Sequence, residues 1–158
     1  MDKLEHLKLH LKGKALILGI GNTLQSDDGL GSILASRIKG KVPYTVYDAA
    51  ASPENYLGKI IKDKPDNILL IDAVDFGACP GDFAVFEGSD IKALNFFSTH
   101  DASLSLAINY LKNNMPADII ILGIQPKKVV FGEGLIQEVD RTLQKLEGWF
   151  RDEAIEAR

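Results

Sequence analysis

Two hydrophobic patterns alternate along the 158-residue chain. Short, nearly continuous apolar runs predict buried strands, whereas apolar residues repeated every three or four positions predict amphipathic helices. The predicted strands cover residues 14–20, 44–47, 67–71, 83–86 and 118–122. The predicted helices cover residues 2–11, about 30–38, about 53–61, 101–114 and about 135–150. Ser52, which precedes Pro53 and Glu54, is the expected N-cap of the third helix.

The order of these elements predicts a three-layer α/β/α sandwich around a five-stranded, mostly parallel, twisted sheet. The connection before the strand at 83–86 is a short turn cluster, 76–81. It is too short for a parallel crossover, so this strand is expected to be antiparallel and to lie at a sheet edge. Residues 88–100 are expected to form a loop. No linker interrupts the chain, so residues 1–158 are predicted to form one domain, with residues 1–13 as a leader that is helical in part.

Composition narrows the classes of partner. The net charge of −4 gives no reason to expect nucleic acid, and the apolar runs are strand-sized, which predicts no membrane insertion. The leader mixes charges with leucines, unlike a signal peptide, and the single cysteine, Cys79, is typical of a reducing compartment. We therefore expect a cytoplasmic protein, and a monomer. Cys79 lies in a Gly/Pro-rich turn without a second cysteine nearby and is interpreted as incidental.

Polar residues at the ends of the predicted strands carry the candidate chemistry. Asp28 follows the first strand, Asp72 follows the third, and His100 precedes the helix that leads into the last strand. A helix that leads into a parallel strand begins at the edge where the other parallel strands end. Asp28, Asp72 and His100 are therefore predicted to converge, with Asp75 and Gln125 near them. Two carboxylates and one imidazole suit a borderline divalent ion such as nickel, zinc, iron or cobalt.

Each of these residues also has an ordinary structural interpretation. Asp28 could cap the predicted helix that follows the first strand, although Asp27 is assigned that role more readily. Asp72 could accept backbone N–H groups in the following turn, as could Asp75. His100 could cap or pack against the next helix, with Asp101 as the true N-cap. The residues alone leave these alternatives open.

Other motifs give weaker signals. Gly19-x-Gly21 after a strand suggests a dinucleotide loop with Asp48 on a ribose, but Leu24 stands where the third glycine is required. A Walker A loop and a Gly-x-Ser-x-Gly elbow are absent from the sequence. His6 and His10 are four residues apart, which permits a metal clip. We interpret them as a solvated helix face next to lysines.

Several segments together resemble the [NiFe]-hydrogenase maturation endopeptidases, most closely the hydrogenase 3 (formate hydrogenlyase) type. The matching segments are GIGNTLQSDDGLG at 19–31, SPEN at 52–55, IDAVDFGACPG at 71–81, STHD at 98–101, GIQP at 123–126 and LEGW at 146–149. They occur in family order and nearly span the chain, leaving the leader outside.

The resemblance implies an endopeptidase that removes a short C-terminal peptide from the precursor of a [NiFe]-hydrogenase large subunit after nickel insertion. It implies that Asp28, Asp72 and His100 are both the catalytic and the metal-contacting residues, with nickel supplied by the substrate precursor. The alternative is a non-cleaving, nickel-sensing chaperone or docking module for the same precursor. A nucleotide-binding domain is a third and weaker alternative. The loop at 126–133, including Lys127 and Lys128, and the segment at 49–54 are expected to help bind the large subunit.

Overall fold

The computed structural model describes residues 2–88, 97–98, 101–127, 129–132 and 134–156, with the backbone alone for 97–98, 101–103 and 154–156. Five helices are described: α1 (Lys3–Leu9), α2 (Leu30–Ile38), α3 (Leu57–Asp63), α4 (Asp101–Asn114) and α5 (Gln137–Glu156). The described strands are β1 (Ala15–Gly19), β2 (Thr45–Asp48), β3 (Asn67–Asp75), β4 (Phe83–Glu87), β5 (Phe97–Ser98) and β6 (Asp118–Ile124). No helix in these ranges is long and apolar enough to cross a membrane.

The main sheet has the strand order β2-β1-β3-β6-β4. Strands β1, β2, β3 and β6 pair in parallel, whereas β4 pairs antiparallel with β6 at the edge. This confirms the predicted fold class, including the antiparallel edge strand. The central position of β3 explains why its sequence is continuously apolar, since both of its faces are covered.

Side chains along the central strands point alternately to the two faces of the sheet, and the core therefore consists of two clusters. Ile17, Leu69 and Ile120 pack with α2 and α5 on one face of the sheet. Leu18 and Leu70 pack with α3 and α4 on the other. Because side chains alternate between faces with a period of two, each central strand supplies both layers, as a three-layer sandwich requires.

The third strand is longer than its apolar pattern predicted. It continues through Asp75 because β6 pairs with it as far as Ala73, and β5 then pairs antiparallel with Val74 and Asp75. The short strand β5 falls in the region predicted as a loop. Asp72 therefore lies within β3 and does not terminate it, which corrects the sequence prediction.

The helix starts also differ from the prediction. Ser52 makes no side-chain capping bond, and a 3₁₀ turn at Pro53–Tyr56 precedes α3. A second 3₁₀ turn, Ser26–Gly29, precedes α2. These turns reorient the chain between the end of a strand and the first full helical turn, so propensity at the cap position alone does not locate the helix.

Candidate active site

The first turn of α2 packs directly on the ends of β1 and β3. A Cβ placed on Gly31 would lie 2.2 Å from the carbonyl oxygens of both Ile20 and Ile71. Such a distance is far below van der Waals contact, so only glycine permits this approach. The close contact brings the 3₁₀ turn at Ser26–Gly29 against β3.

Asp28 lies in this 3₁₀ turn and is almost completely buried, with 3% of its surface exposed. Its Oδ2 accepts a hydrogen bond from the N–H of Asn22 at 3.3 Å. It does not cap α2, whose N-cap position is occupied by Gly29 without a side-chain bond. The carboxylate is therefore oriented by the β1–α2 loop and not by the helix terminus.

Asp72 lies in the central strand and is fully buried. Its Oδ1 accepts the N–H of Ala73 at 2.9 Å, which fixes the carboxylate at the backbone of the strand. Leu70 and Val74, two residues to either side, belong to the core cluster of α3 and α4. The alternation of β3 therefore directs Asp72 toward the same layer. Since the turn that carries Asp28 contacts β3, both predicted acids lie at one edge of the sheet.

His100 lies outside the described residues. The segments on either side of it in sequence are described: β5 pairs with β3 just beyond Asp72, at Val74 and Asp75, and α4 begins at Asp101. The helix α4 contacts both β5 and the 3₁₀ turn Pro53–Tyr56 that follows β2. The helix α4 thus begins, at Asp101, near the edge that carries Asp28 and Asp72.

Asp27 does not have the capping role assigned to it from the sequence. Its Oδ2 accepts the N–H of Lys127 at 3.0 Å, and its Oδ1 accepts the N–H of Ile136 at 2.9 Å. With no exposed surface, this carboxylate ties the β1–α2 loop to the segment between β6 and α5. The two adjacent acids therefore have different tasks, which the sequence did not reveal because the partners of Asp27 are a hundred residues away.

Gln125 has a structural role beside the site. Its Oε1 accepts the N–H groups of Phe76 and Ala78 at 2.9 and 3.2 Å, and its Nε2 donates to Asp75 Oδ1 at 3.0 Å. Asp75 is exposed and also accepts the N–H of Gly77, which is the turn role considered for it from the sequence. Gln125 thus holds the turn after β3 against the end of β6.

The dinucleotide interpretation of Gly19-x-Gly21 is not supported by this geometry. A Cβ on Gly19 would lie 2.3 Å from the carbonyl oxygen of Gly31, so the glycine serves helix packing. Asp48 accepts hydrogen bonds from Ser32, Ser36 and the N–H of Ala50. Both oxygens that would meet a ribose are therefore engaged within the protein.

An apolar patch lies beside the β1–α2 loop. Its members are Leu24, Val129, Val130 and Phe131, and Phe131 is 82% exposed. The N–H of Gly132 donates to Leu24 O at 2.8 Å, and Ser26 donates its N–H to Gly132 O at 2.7 Å. We call these four residues the loop patch. Lys128 and Glu133, in the same loop, lie outside the described residues.

The fold and the two buried carboxylates define a class of α/β proteins that carry acidic side chains at the carboxyl edge of a parallel sheet. The model of the family described as hydrogenase maturation protease, HycI, matches residues 30–150. The hydrogenase 3 maturation protease of Escherichia coli strain K12 is 34% identical over 140 residues, which are 85% of this chain and 89% of that protein.

Solved structures agree with this assignment. The crystal structure of a [NiFe] hydrogenase maturation protease from Thermococcus kodakarensis superposes with a TM-score of 0.78 at 26% identity, covering 93% of this chain and 97% of that one. The solution structure of an endopeptidase from Escherichia coli gives a TM-score of 0.75 at 27% identity, covering 89% and 90%. The chain belongs to the hydrogenase maturation protease family, and it is accordingly a hydrolase of the endopeptidase type.

Proposed function

We propose that this endopeptidase removes a short C-terminal peptide from the precursor of a [NiFe]-hydrogenase large subunit after nickel has been inserted into that precursor. The observation that carries the proposal is the burial of Asp28 and Asp72 at one edge of the sheet in a chain of this family. The relative from Escherichia coli indicates the substrate class, because a hydrogenase 3 maturation protease acts in hydrogenase maturation.

The two carboxylates support a metal-contacting role through their orientation. A ligand that is itself hydrogen-bonded presents a fixed lone pair, and such supporting bonds tune metal affinity by about 10–100-fold. Asp28 and Asp72 each accept a backbone N–H, from Asn22 and Ala73 respectively. These bonds involve main-chain groups, so the carboxylates keep their placement even when side chains nearby rearrange.

His100 is proposed as the third metal-contacting and catalytic residue. It follows Ser98 by two residues, and Ser98 pairs with Val74, two residues beyond Asp72. An imidazole added to two carboxylates makes a mixed nitrogen and oxygen set that suits a borderline divalent ion. In this proposal the nickel belongs to the docked precursor, where it orients or polarises the scissile carbonyl or a water molecule.

The loop patch is proposed to receive the precursor. Four apolar residues are exposed together beside the turn that carries Asp28, and the hydrogen bonds of Asp27, Ser26 and Gly132 hold them there. Apolar and aromatic side chains in such positions are the usual anchors of a protein interface. Lys127 and Lys128 remain predicted contributors, and the segment at 49–54 flanks the same edge.

The experiment that tests the proposed function is intact mass spectrometry of the precursor. Nickel-loaded and nickel-free precursors are each incubated with the purified protein. Loss of a C-terminal peptide from the loaded form alone is the expected result. Cleavage of both forms would retain the protease but remove the nickel checkpoint, and cleavage of neither, with binding confirmed, would favour the non-cleaving chaperone.

A further inference from the structure

A second cluster of metal-binding side chains lies at the opposite edge of the sheet, on the leader. His6 and His10 project from one face of α1 and its C-terminal cap, toward Glu87 at the end of β4. Because β4 runs antiparallel to β6, its end lies where the parallel strands begin. This strand supplies the acid that accompanies the two histidines, which corrects the interpretation of His6 and His10 as a solvated face.

The leader helix is firmly docked at this place. Leu7 of α1 is fully buried in the core cluster of α2 and α5. Lys3 Nζ donates to the carbonyl oxygen of Phe83 in β4 at 2.9 Å. Residues four apart on a helix face the same direction, so docking Leu7 fixes the direction in which His6 and His10 point. Their convergence on Glu87 therefore follows from the packing of the helix.

The distances from Glu87 to the two histidines match those in a tetrahedral ion site. Glu87 Oε1 lies 3.3 Å from His6 Nε2 and 3.4 Å from His10 Nε2. For metal–ligand bonds of about 2.0–2.1 Å, tetrahedral geometry separates two ligand atoms by about 3.3–3.4 Å. One ligand atom from each residue lies within 4.8 Å of the others, and in the described part of the chain no other three histidine, cysteine or acidic residues meet this criterion.

Asp118 orients His10 for binding an ion. Its Oδ2 lies 2.9 Å from His10 Nδ1, while Glu87 lies at the other ring nitrogen. A neutral imidazole has one N–H donor and one lone pair on its other nitrogen. When Nδ1 donates its hydrogen to Asp118, Nε2 directs its lone pair to the side of Glu87, where a metal ion can bind. A histidine that donates one nitrogen to a carboxylate and offers the other to a metal is the usual arrangement in zinc proteins.

We propose that His6, His10 and Glu87 form a zinc site that fastens the leader helix to the edge strand β4, with Asp118 orienting His10. Two imidazoles and a carboxylate are a known ligand set for Zn²⁺, and a fourth position remains for water. The side chains of His6 and Glu87 are 34% and 38% exposed, so an ion can reach them, whereas that of His10 is 13% exposed. Both histidines lie outside residues 30–150, the range that the family model matches. The zinc site is also separate from the proposed cleavage site.

The test measures zinc binding to the full chain after removal of metal with a chelator. The experiment uses a variant that carries Asp28→Asn and Asp72→Asn, so that the opposite edge cannot supply the signal. Calorimetric titration with ZnCl₂ is expected to give one ion per chain. Thermal unfolding is expected to shift upward by about 5–10 °C when zinc exceeds its Kd about a hundredfold.

Four further variants in that background locate the ion. His10→Gln and Glu87→Gln are expected to abolish the titration signal, and Asp118→Asn is expected to weaken it by about 10–100-fold. Glu5→Gln is the matched control, since Glu5 is an exposed acid on the same helix, and it should bind zinc as the background does.

Two results would overturn the proposal. One is the absence of zinc binding by the background variant, in which His6, His10 and Glu87 are all intact. The other is unchanged zinc affinity in both His10→Gln and Glu87→Gln. Using both variants keeps the test decisive if either one fails to fold. Neither result depends on cleavage of a precursor.

Discussion

The two edges of the sheet carry polar clusters built in different ways. At the carboxyl edge, Asp28 and Asp72 are almost entirely buried and accept hydrogen bonds from the backbone N–H groups of Asn22 and Ala73. At the amino edge, His6, His10 and Glu87 are partly exposed and held by the docking of one short helix. A buried carboxylate is stable only where the fold supplies its partners, whereas a surface cluster depends on which element happens to cover it. The first is therefore part of the sheet architecture, and the second depends on the leader.

The largest effect is expected from Asp72→Asn, which keeps the shape of the side chain but removes its charge. Cleavage of nickel-loaded precursor should fall by at least about 100-fold, because the variant loses an anionic ligand that a backbone bond holds in place. The matched control is Asp75→Asn at the exposed end of the same strand. If the initial rates of Asp72→Asn and Asp75→Asn in a mass-spectrometric assay are equal, Asp72 is not part of the cleavage site.

The two adjacent acids of the 3₁₀ turn, Asp27 and Asp28, are expected to affect different properties. Asp27 contributes to the stability of the fold, and Asp28 contributes to cleavage. Asp27→Asn removes the charge that accepts the N–H groups of Lys127 and Ile136, and one of these part-buried donors loses its partner. The free energy of unfolding in urea should fall by about 2 kcal/mol. Asp28→Asn should instead slow the cleavage of nickel-loaded precursor. These roles would be contradicted if Asp27→Asn impaired cleavage without loss of stability, and Asp28→Asn lost stability without impaired cleavage.

A smaller effect is expected from Phe131→Ser in the loop patch. Loss of an exposed anchor should raise KM for the precursor by about 5–10-fold with little change in kcat. Leu106→Ser is a suitable comparison, because Leu106 is 65% exposed on α4 and outside the loop patch. Steady-state kinetics with equal KM values for the two variants would remove the loop patch from the binding surface.

The smallest effect concerns Tyr47 at the end of β2. Its hydroxyl donates to Asp63, and this hydrogen bond to a carboxylate is the largest cause that raises the pKa of Tyr47 to about 12. The folded state therefore keeps the proton after the unfolded chain has begun to lose it near pH 10. The stabilisation is complete below about pH 10 and is lost as the pH rises toward 12.

Urea unfolding of the wild type and Tyr47→Phe measures this contribution. The wild type should be more stable by less than about 1 kcal/mol at pH 8, since the pair is near the surface. The difference should disappear between pH 10 and 12. A difference that stays constant over that interval would show that the hydroxyl bond to Asp63 is not its source.

Sequence patterns predicted the sheet well because its determinants are local. Continuous apolar runs identified β1, β3 and β6, and the short turn before Phe83 identified an antiparallel edge strand. The ends of elements were predicted less well. The strand β3 extends past its apolar run because β5 and β6 pair with it there, and pairing partners distant in sequence leave no local signal.

The predictions for the candidate site succeeded and failed for the same reasons. Topology predicted Asp28 and Asp72 at one edge, because parallel strands end together, and the turn that carries Asp28 does contact the strand that carries Asp72. The capping role predicted for Asp27 was wrong, because its hydrogen-bond partners come from the other end of the chain. The cluster on the leader was missed for the same reason, since Glu87 and Asp118 are about 80 and 110 residues from the histidines. His100 stays a prediction.

The most direct test of the cleavage site compares release rates of the C-terminal peptide from nickel-loaded and nickel-free precursor. The wild type and a variant carrying Asp28→Asn and Asp72→Asn are measured side by side, after confirming that both are folded. We expect rapid release by the wild type from the loaded precursor alone, and no release by the variant from either form. Equal release by the variant and the wild type from loaded precursor would contradict the assignment of this edge as the active site.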